Sequence, residues 1–378
     1  MVEEVVASPI SRTRLREIKR HVAIAFAREH GVFSRAQLAE ATGLSAATVT
    51  RLVRDLLAEG YVVETGAGPS SGGRPQTMLE FQAGNELVAV VDLHDGEIDA
   101  ALRDWNGDLH GTMVRRPLVD LRRDLPEVIG ELRDQVGSRL KATAIAIPGV
   151  AMGGEGQIRL APSIARGEGP ALGAALLDAL DMPVVVDNDV NLMVVGEHVA
   201  GAAVDTDDVF LAHIGASGIG AALMIDGVVR RGARGSAGEI GFMPLGAALA
   251  PSSDVGAFEG EWALGALHRR ADALLGPGDG PLLERLRDAQ VPAARQLLID
   301  ALRAWGRAIA AAVCVLDPAR VLLSGPRMTD GDLDVLIEET SRFVPGGVDI
   351  RPAAIGPRAL HLGAARRAFD AHDARSAR

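Results

Sequence analysis

The stretch Ser34-Arg-Ala-Gln-Leu-Ala-Glu-Ala-Thr-Gly43-Leu-Ser45-Ala-Ala-Thr-Val-Thr-Arg51-Leu-Val-Arg54-Asp-Leu-Leu57 decides the fold of the amino-terminal region. Ser34 and Ser45 can each accept hydrogen bonds from the first backbone N–H groups of a helix, and Gly43 permits the left-handed residue that ends the first helix. Leu38 and Ala41 are predicted on the inner face of that helix. The inner face of the second helix is predicted to carry Val49, Leu52, Val53, Leu56 and Leu57. The pattern predicts a helix-turn-helix.

The outer face of the second helix suits the major groove of DNA. Small residues allow close approach, hydroxyls reach phosphates or bases, and arginines bind guanine or phosphate. The candidate DNA contacts are Arg35, Ser45, Ala46, Ala47, Thr48, Thr50, Arg51 and Arg54. The alternative is a helical hairpin that merely lies on the surface.

The sequences on both sides of the two helices extend the helix-turn-helix motif. A preceding helix is predicted to have an apolar face made of Leu15, Ile18, Val22, Ile24, Ala25 and Phe26. Residues 60–64 and 78–81 resemble the two strands of a wing around the loop at 66–75. Arg74 in that loop is predicted to enter the minor groove, unless the loop is only a linker. We therefore predict a winged helix-turn-helix domain over residues 12–82.

Charge separates this region from the remainder. Residues 9–75 hold ten Lys/Arg and six Asp/Glu, a net charge of +4, whereas residues 76–378 carry a net charge of −13. Only the amino-terminal region has the electrostatic character of a nucleic-acid-binding domain. No run of eighteen uncharged apolar residues and no signal-peptide pattern is present, so we expect a cytoplasmic chain with no membrane partner. The single cysteine, Cys314, is predicted to be a small buried hydrophobe.

Beyond Gly84 the pattern becomes an alternation of strands and helices. Strands are predicted at 87–92, 98–103, 109–115, 142–149 and 184–186, with helices near 124–138 and 171–180. Asn106-Gly107 is a hairpin turn signal. A second region has the same alternation, with strands predicted at 208–214, 221–225 and 320–325 and helices near 190–201, 258–275 and 294–316. We predict two α/β lobes, at 85–187 and 188–378, that close over a cleft, with a carboxy-terminal helix returning to the first lobe.

The order of short motifs along the chain is distinctive. They are Val91-Asp92-Leu93, Ile147-Pro148-Gly149, Asp187-Asn188-Asp189-Val190-Asn191, Gly196-Glu197, Gly218-Ile219-Gly220, Ala237-Gly238-Glu239-Ile240-Gly241, Leu316-Asp317-Pro318 and Gly363-Ala364-Ala365. Over about residues 14–370 the chain resembles the ROK family of repressors, open reading frames and kinases, and within it the DNA-binding repressors. The resemblance implies an actin-like, sugar-kinase-type double lobe, a homodimer or homotetramer, and a sugar or sugar phosphate as effector in the cleft.

The resemblance also implies site residues. Asn188 and Asp189 match the family's sugar-binding pair, in which the aspartate is the base of the kinases; alternatively both only begin the following helix. Glu239 matches the next sugar ligand, unless it is a solvated turn carboxylate. Glu259 matches a later one, unless it serves only as a helix amino-terminal charge.

Departures from the family pattern concern metal binding, sugar binding and phosphate binding. Phe242 replaces a zinc-binding and sugar-binding histidine, and residues 243–258 contain no cysteine, so we expect no zinc and no other metal. Ser163 replaces an asparagine that contacts sugar. The turn Leu93-His94-Asp95-Gly96 brings a carboxylate close to the predicted phosphate position, and Ala216-Ser217 precede Gly218 in the second phosphate loop. We therefore expect no ATP turnover and no cofactor.

These observations favour a transcriptional regulator, with repression as the expected direction, that binds an operator containing an inverted repeat and responds to a small sugar-like molecule. A carbohydrate kinase with an appended DNA-binding domain is the main alternative. A constitutive DNA-binding protein with an empty cleft is a third. The sequence leaves open the effector, the operator, the direction of regulation, the choice between dimer and tetramer, and residual ATP binding.

Overall fold

A computed structural model describes residues 12–67, 76–152, 157–160, 180–245 and 255–377. The amino-terminal domain contains three helices and three strands. Their bounds are α1 Arg12–His30, β1 Val32–Ser34, α2 Arg35–Thr42, α3 Ala46–Ala58, β2 Val62–Ala67 and β3 Thr77–Phe81. The strands form an antiparallel sheet in the order β1-β3-β2, and β2 and β3 are the two strands of the predicted wing.

The predicted caps are confirmed. The Ser34 hydroxyl accepts from the backbone N–H of Gln37, whose side chain accepts in return from the Ser34 N–H. Gly43 has φ +66°, and the Ser45 hydroxyl accepts from the N–H of Thr48. Local hydrogen bonds of this kind fix where a helix begins and ends, whatever the tertiary contacts.

The core of this domain differs in part from the prediction. Leu38, Val49, Leu52, Val53 and Leu56 are buried as expected, and Leu57 is half-buried. Other residues predicted on inner faces are exposed to solvent, namely Leu15, Val22, Ala25 and Ala41. On α1 the buried apolar residues are Ala23, Ile24, Phe26 and Ala27. The apolar stripe of α1 is wider than the surface that the rest of the domain covers, so its edge faces water.

Lobe I consists of a five-stranded sheet with helices on both faces. Its elements are β4 Leu87–His94, β5 Glu97–Arg103, β6 Leu109–Pro117, α4 Leu121–Val136, β7 Leu140–Ile147 and β10 Val184–Asn188, and a separate pair is β8 Val150–Met152 with β9 Gln157–Leu160. The sheet order is β10-β7-β4-β5-β6. Strands β10, β7 and β4 are parallel, so their carboxyl ends lie at one edge of the sheet. The helix predicted near 171–180 lies outside the described residues except for Leu180.

Lobe II has a second five-stranded sheet. Its strands are β11 Val209–Ile214, β12 Ile219–Ile225, β13 Val228–Val229, β14 Arg320–Ser324 and β15 Asp349–Pro352, in the order β13-β12-β11-β14-β15. Its helices are α6 Ala257–Trp262, α7 Leu264–Leu275, α8 Leu282–Arg287, α9 Pro292–Leu316 and α10 Asp330–Ser341. The single helix predicted at 258–275 is wrong, because extended backbone at Ala263, with ψ 155°, divides it. Cys314, predicted to be buried, is exposed on the last turn of α9.

Two helices cross between the lobes. Helix α5, Asp189–Ala200, follows β10 of lobe I and packs through Val190 and Val194 into the lobe II core. Helix α11, Arg358–Ala377, follows β15 of lobe II and packs through Ala364 and Phe369 against β4 and β7 of lobe I. At their crossing a Cβ on Gly196 would overlap the carbonyl oxygen of Ala359, and one on Gly363 would overlap that of Leu192. The two backbones are therefore in direct contact.

Candidate DNA-binding face and effector cleft

The outer face of α3 is open to solvent. Ser45, Ala46, Ala47, Thr50, Arg51 and Arg54 are exposed, and Thr48 is half-buried. The opposite face holds the core residues Val49, Leu52 and Val53. Helix α3 thus divides into one face that holds the domain together and one that can enter a DNA groove.

The polar groups of this face differ in their partners. The hydroxyls of Ser45 and Thr48 are 2.9 Å apart, and the Thr50 hydroxyl donates to the carbonyl of Ala46 at 2.8 Å. Arg54 lies 3.6 Å from the carboxylate of Asp55, which Arg16 also contacts at 2.8 Å. Within the described residues Arg51 has no ion pair or side-chain hydrogen bond, so its guanidinium has all five donors available.

Arg35 begins α2, and its guanidinium contacts Glu64 of strand β2 at 2.8 Å. This exposed pair connects the first helix of the motif with the wing. Arg74 lies outside the described residues, as does Ser163 of the predicted effector site.

A cavity of about 360 Å³ opens between the lobes. Lobe I contributes the turn after β4 and the segment after β7, and lobe II contributes the loop between β11 and β12. The lining residues are His94, Asp95, Pro148, Gly149, Asn188, Asp189, Val190, His213, Gly215, Ala216, Ser217, Gly218, Ile219, Gly220, Glu239, Phe242 and Glu259. The structure therefore brings together five of the six predicted effector residues: Asn188, Asp189, Glu239, Phe242 and Glu259.

Asn188 has a structural role in this cavity. Its side-chain oxygen accepts from the N–H groups of Val190 and Asn191, at 2.9 and 3.2 Å, and so caps α5. Its amide nitrogen donates to the carbonyl of Gly149 at 2.9 Å. The capping interpretation is thus confirmed, and one amide proton of Asn188 is left for any ligand.

Asp189 is the most perturbed carboxyl of the site. Its Oδ1 accepts from the N–H of Val190 at 2.8 Å. Burial, followed by the negative charges of Asp92 and Glu239, raises the pKa of Asp189 to about 7. Burial also raises the pKa of Asp92 to about 6, with the charges of Asp99 and Asp95 acting in the same direction. These carboxyls therefore gain or lose protons close to neutral pH.

Glu239 and Glu259 differ in their surroundings. Burial and the charge of Glu259 raise the pKa of Glu239. Both Glu259 oxygens accept backbone N–H groups, from Gly256 at 2.8 Å and from Ile219 at 3.2 Å. Glu259 thus holds the start of α6 against the loop between β11 and β12. Within the described part of the chain the side-chain oxygens of Glu239 accept no hydrogen bond, so they can accept from a ligand.

Both turns that the sequence predicts at phosphate positions make contacts with neighbouring protein groups. The Asp95-Gly96 turn has φ +47° and +79°, and the His94 imidazole lies 3.3 Å from Asp99. In the second loop the N–H of Gly265 donates to the carbonyl of Ala216 at 3.0 Å. The described lining contains no Lys or Arg side chain.

Sequence reasoning missed two parts of the site. His213 is the last but one residue of β11 and lines the cavity. Burial lowers its pKa, and its Nδ1 lies 3.1 Å from the hydroxyl of Ser324. Asp187 is buried beneath Asn188 and pairs with Arg231, which fixes the segment before Glu239. The available signal for His213 was a lone polar residue in an apolar strand, and for Asp187 it was the first position of the Asp187-Asn188-Asp189 motif.

Among the described residues, no group of three or more His, Cys, Asp or Glu side chains is arranged to hold a metal ion. No helix in the same part of the chain is long and apolar enough to cross a membrane.

The fold and the cleft are those of a sugar-kinase-like double lobe joined to a winged helix-turn-helix domain. Comparison with known families agrees: the ROK family model matches residues 88–366, and the IclR helix-turn-helix domain matches residues 24–66. The chain belongs to the ROK family.

Individual relatives include regulators and kinases. The xylose repressor of Bacillus subtilis is 30% identical over 223 residues, which is 56% of each chain. A crystal structure of a ROK family transcriptional regulator, homologous to the Mlc protein of E. coli, has a TM-score of 0.73 at 20% identity and covers 95% of this chain and 97% of that one. The ROK hexokinase of Thermus thermophilus has a TM-score of 0.63 at 29% identity and covers 75% of this chain and 98% of that one. The match thus spans about half the length of the curated repressor.

Proposed function

We propose that this chain is a sequence-specific transcriptional repressor whose interlobe cleft binds a neutral, polyhydroxylated effector such as a sugar. The observation that carries the proposal is the presence, in one chain, of an exposed α3 face and a cleft in which Asp189 and Glu239 supply hydroxyl acceptors without a lining cation. Carboxylates bind vicinal hydroxyls well but repel phosphates. A free sugar therefore suits the cleft better than a sugar phosphate.

Phe242 refines the expected ligand. Its ring lies on the cavity wall where the family pattern has a histidine, so one side of the ligand meets an apolar surface. A pentose or a deoxy sugar, which presents fewer hydroxyls on one side, is favoured over a fully hydroxylated hexose. D-Xylose is the first sugar to test, because the relative in Bacillus subtilis is named a xylose repressor.

Catalysis is not part of the proposed function. A triphosphate beside Asp95 meets a like charge, and the described lining of the cleft offers no Lys or Arg to offset it. A sugar kinase is the second candidate, supported by one observation: a carboxyl with a pKa of about 7 suits a general base at neutral pH.

For DNA, we propose a dimer on an inverted repeat, because one recognition helix reads too few base pairs and twofold symmetry doubles them. Half-site centres are expected about 10 base pairs apart or at a multiple of that spacing. The proposed contacts are the α3 residues Ser45, Ala46, Ala47, Thr48, Thr50, Arg51 and Arg54, together with Arg35 and Arg74.

The test begins with operator selection from random DNA by the full chain, followed by footprinting with and without D-xylose and a panel of other sugars. Release of an inverted repeat by one sugar, without ATP consumption, is the expected result. Footprints on a single half-site would refute the dimer. Sugar-dependent ATP turnover at about 1 per second or faster would favour the kinase.

A further inference from the structure

A buried polar cluster connects the amino-terminal domain with lobe I and α11. We name it the Arg28 joint; it consists of Arg28 and Tyr61 from the amino-terminal domain, Glu86 and Trp105 from lobe I, and Phe369 and Asp373 from α11. The Arg28 side chain is 2% exposed, and its two terminal nitrogens bind different carboxylates, Glu86 and Asp373, each at 2.6 Å. One guanidinium therefore bridges three parts of the chain.

Aromatic rings complete the surroundings of Arg28. Its guanidinium carbon lies 4.9 Å from the ring centroids of both Trp105 and Phe369, within cation–π range. The hydroxyl of Tyr61 donates to the second oxygen of Glu86 at 2.5 Å. Two residues of the amino-terminal domain, Arg28 and Tyr61, therefore donate hydrogen bonds to Glu86 from different directions. This fixes both the angle and the distance between that domain and the start of lobe I.

The surroundings keep this cluster charged. Burial raises the pKa of Glu86, but the Tyr61 hydrogen bond and the charges of Arg28, His372 and Lys141 outweigh it, and the pKa lies below its ordinary value. Removal of Arg28 would leave a buried carboxylate whose remaining ion pair within 4 Å, among the described residues, is with Lys141 at 3.8 Å. Exposed ion pairs seldom fix geometry, whereas a buried and stacked arginine that bridges two carboxylates does.

Helix α11 links the joint to the cleft. It begins where Ala359 touches Gly196 of α5, and α5 begins at the cavity residues Asn188 and Asp189. Fourteen residues later, about 21 Å along the helix, Asp373 binds Arg28. A change at the start of α5 therefore reaches the amino-terminal domain through two helices in backbone contact.

We propose that Arg28 is a positioning residue that sets the orientation of the DNA-binding domain on lobe I, and that α11 alters this orientation through Asp373 when the cleft is occupied. The second half of this inference rests on the proposed function. Arg28 lies on the buried side of α1 and belongs to none of the proposed DNA contacts.

The first experiment does not depend on DNA or on an effector. In a Cys314→Ser background, spin labels are placed at two exposed helical sites, Glu40→Cys on α2 and Asp134→Cys on α4, and their distance distribution is measured in the full chain. Arg28→Met is expected to broaden the distribution at least about twofold. The matched control is Arg16→Met, another α1 arginine, which pairs with Asp55 of α3 inside the amino-terminal domain and is not part of the Arg28 joint. It is expected to leave the distribution unchanged.

Two further variants keep the proposal testable if Arg28→Met does not fold. Asp373→Asn removes only the α11 half of the joint, at a side chain that is 34% exposed, and is expected to broaden the distribution less than Arg28→Met. Arg28→Lys keeps the charge but not the planar guanidinium that spans the two carboxylates, so its distribution should lie between those of Arg28→Met and the unchanged chain. An unchanged distribution in Asp373→Asn and Arg28→Lys, together with an unchanged or unfolded Arg28→Met, would overturn the proposal.

The second experiment uses the selected operator. Insertion of two base pairs between the half-sites rotates one half-site by about 70° relative to the other. The affinity of the unchanged chain for this operator should fall at least about tenfold, because poor contact at one base pair or more has a cost of that size. Arg28→Met should bind both operators within about threefold of each other, whereas Arg16→Met should discriminate like the unchanged chain. Equal discrimination by Arg28→Met would refute a positioning role. Failure of the unchanged chain to select any DNA would instead refute the proposed function, and the spin-label result would still decide the role of Arg28.

Discussion

Replacement of Asp189 by asparagine should stabilise the free protein at neutral pH while it impairs the cleft. The substitution keeps the shape of the side chain and its acceptor for the N–H of Val190, and it removes a charge that the cleft disfavours. The pKa of Asp189 is about 7 in the folded chain against an ordinary value of 3.8. The folded state therefore loses stability as pH rises from about 4 to about 7, where the unfolded chain is ionised and the folded chain is not.

The magnitude follows from that difference. Three pKa units correspond to about 4 kcal/mol, which is an upper limit. Water reaches the half-buried carboxyl through the open cleft, and its charge at the start of α5 is favoured by the helix dipole by about 0.3–1 kcal/mol. We expect Asp189→Asn to gain about 1–2 kcal/mol in the free energy of unfolding above pH 7, or about 2–8 °C in Tm.

The assay is thermal unfolding of both proteins at pH 4.5 and pH 8 in the same buffer series. The gain should be full at pH 8 and fall to about a quarter of that value at pH 4.5, because Asp189 is protonated in the folded state at the lower pH while pH 4.5 is only about 0.7 unit above its ordinary pKa of 3.8. Effector affinity should fall, and affinity for the operator without effector should remain within about twofold, since Asp189 lies in the cleft and not on α3. A lower Tm for Asp189→Asn at pH 8, or an equal gain at both pH values, would refute this account of the cleft electrostatics.

Three further predictions concern the recognition helix, the metal content and the helix crossing. Arg51→Ala should cost about 1–3 kcal/mol of operator affinity at one base pair and relax the preference there; equal losses on all sequences with a smaller salt slope would assign Arg51 to a phosphate. Metal analysis of the purified protein should find no stoichiometric zinc, and a chelator should leave Tm unchanged; one zinc per chain would contradict this. Gly196→Ala should lower stability by about 3 kcal/mol because its methyl group would overlap the Ala359 carbonyl, whereas Gly130→Ala in α4, where nothing lies within 4 Å, should raise it by up to about 1 kcal/mol. Equal effects of the two glycine substitutions would argue against a backbone contact at the crossing.

The parts of the fold that sequence could predict are those with local causes. Ser34, Gly43 and Ser45 act on backbone groups within four residues, so their roles were readable from the chain. Helix α10 also has a local signal, a capping box between Thr329 and Asp332, which the prediction overlooked. The exposure of Ala41 and Cys314 depends on which neighbours cover a helix, and periodicity does not contain that information.

The residues of the candidate site also divide into those that the sequence could predict and those that it could not. The motif order placed Asn188, Asp189, Glu239, Phe242 and Glu259 in one cavity, because a family pattern carries tertiary information. It did not separate the capping roles of Asn188 and Glu259 from ligand binding, since both roles use the same oxygens. The Arg28–Asp373 pair joins residues 345 positions apart, and no periodic pattern in the sequence indicates it.

The crossing of α5 and α11 has a mechanical consequence. Each helix starts in one lobe and packs on the other, and they touch backbone to backbone at Gly196 and Gly363, so the lobes can turn about this point but cannot slide past it. Asp373 lies ten residues from Gly363, about 15 Å along the helix, and forms the end of a lever arm. A turn of about 10° would carry it about 2.6 Å, enough to take a 2.6 Å hydrogen bond to Arg28 beyond bonding range. In the proposed switch, a small closure of the cleft would thereby make or break a single bond at the DNA-binding domain.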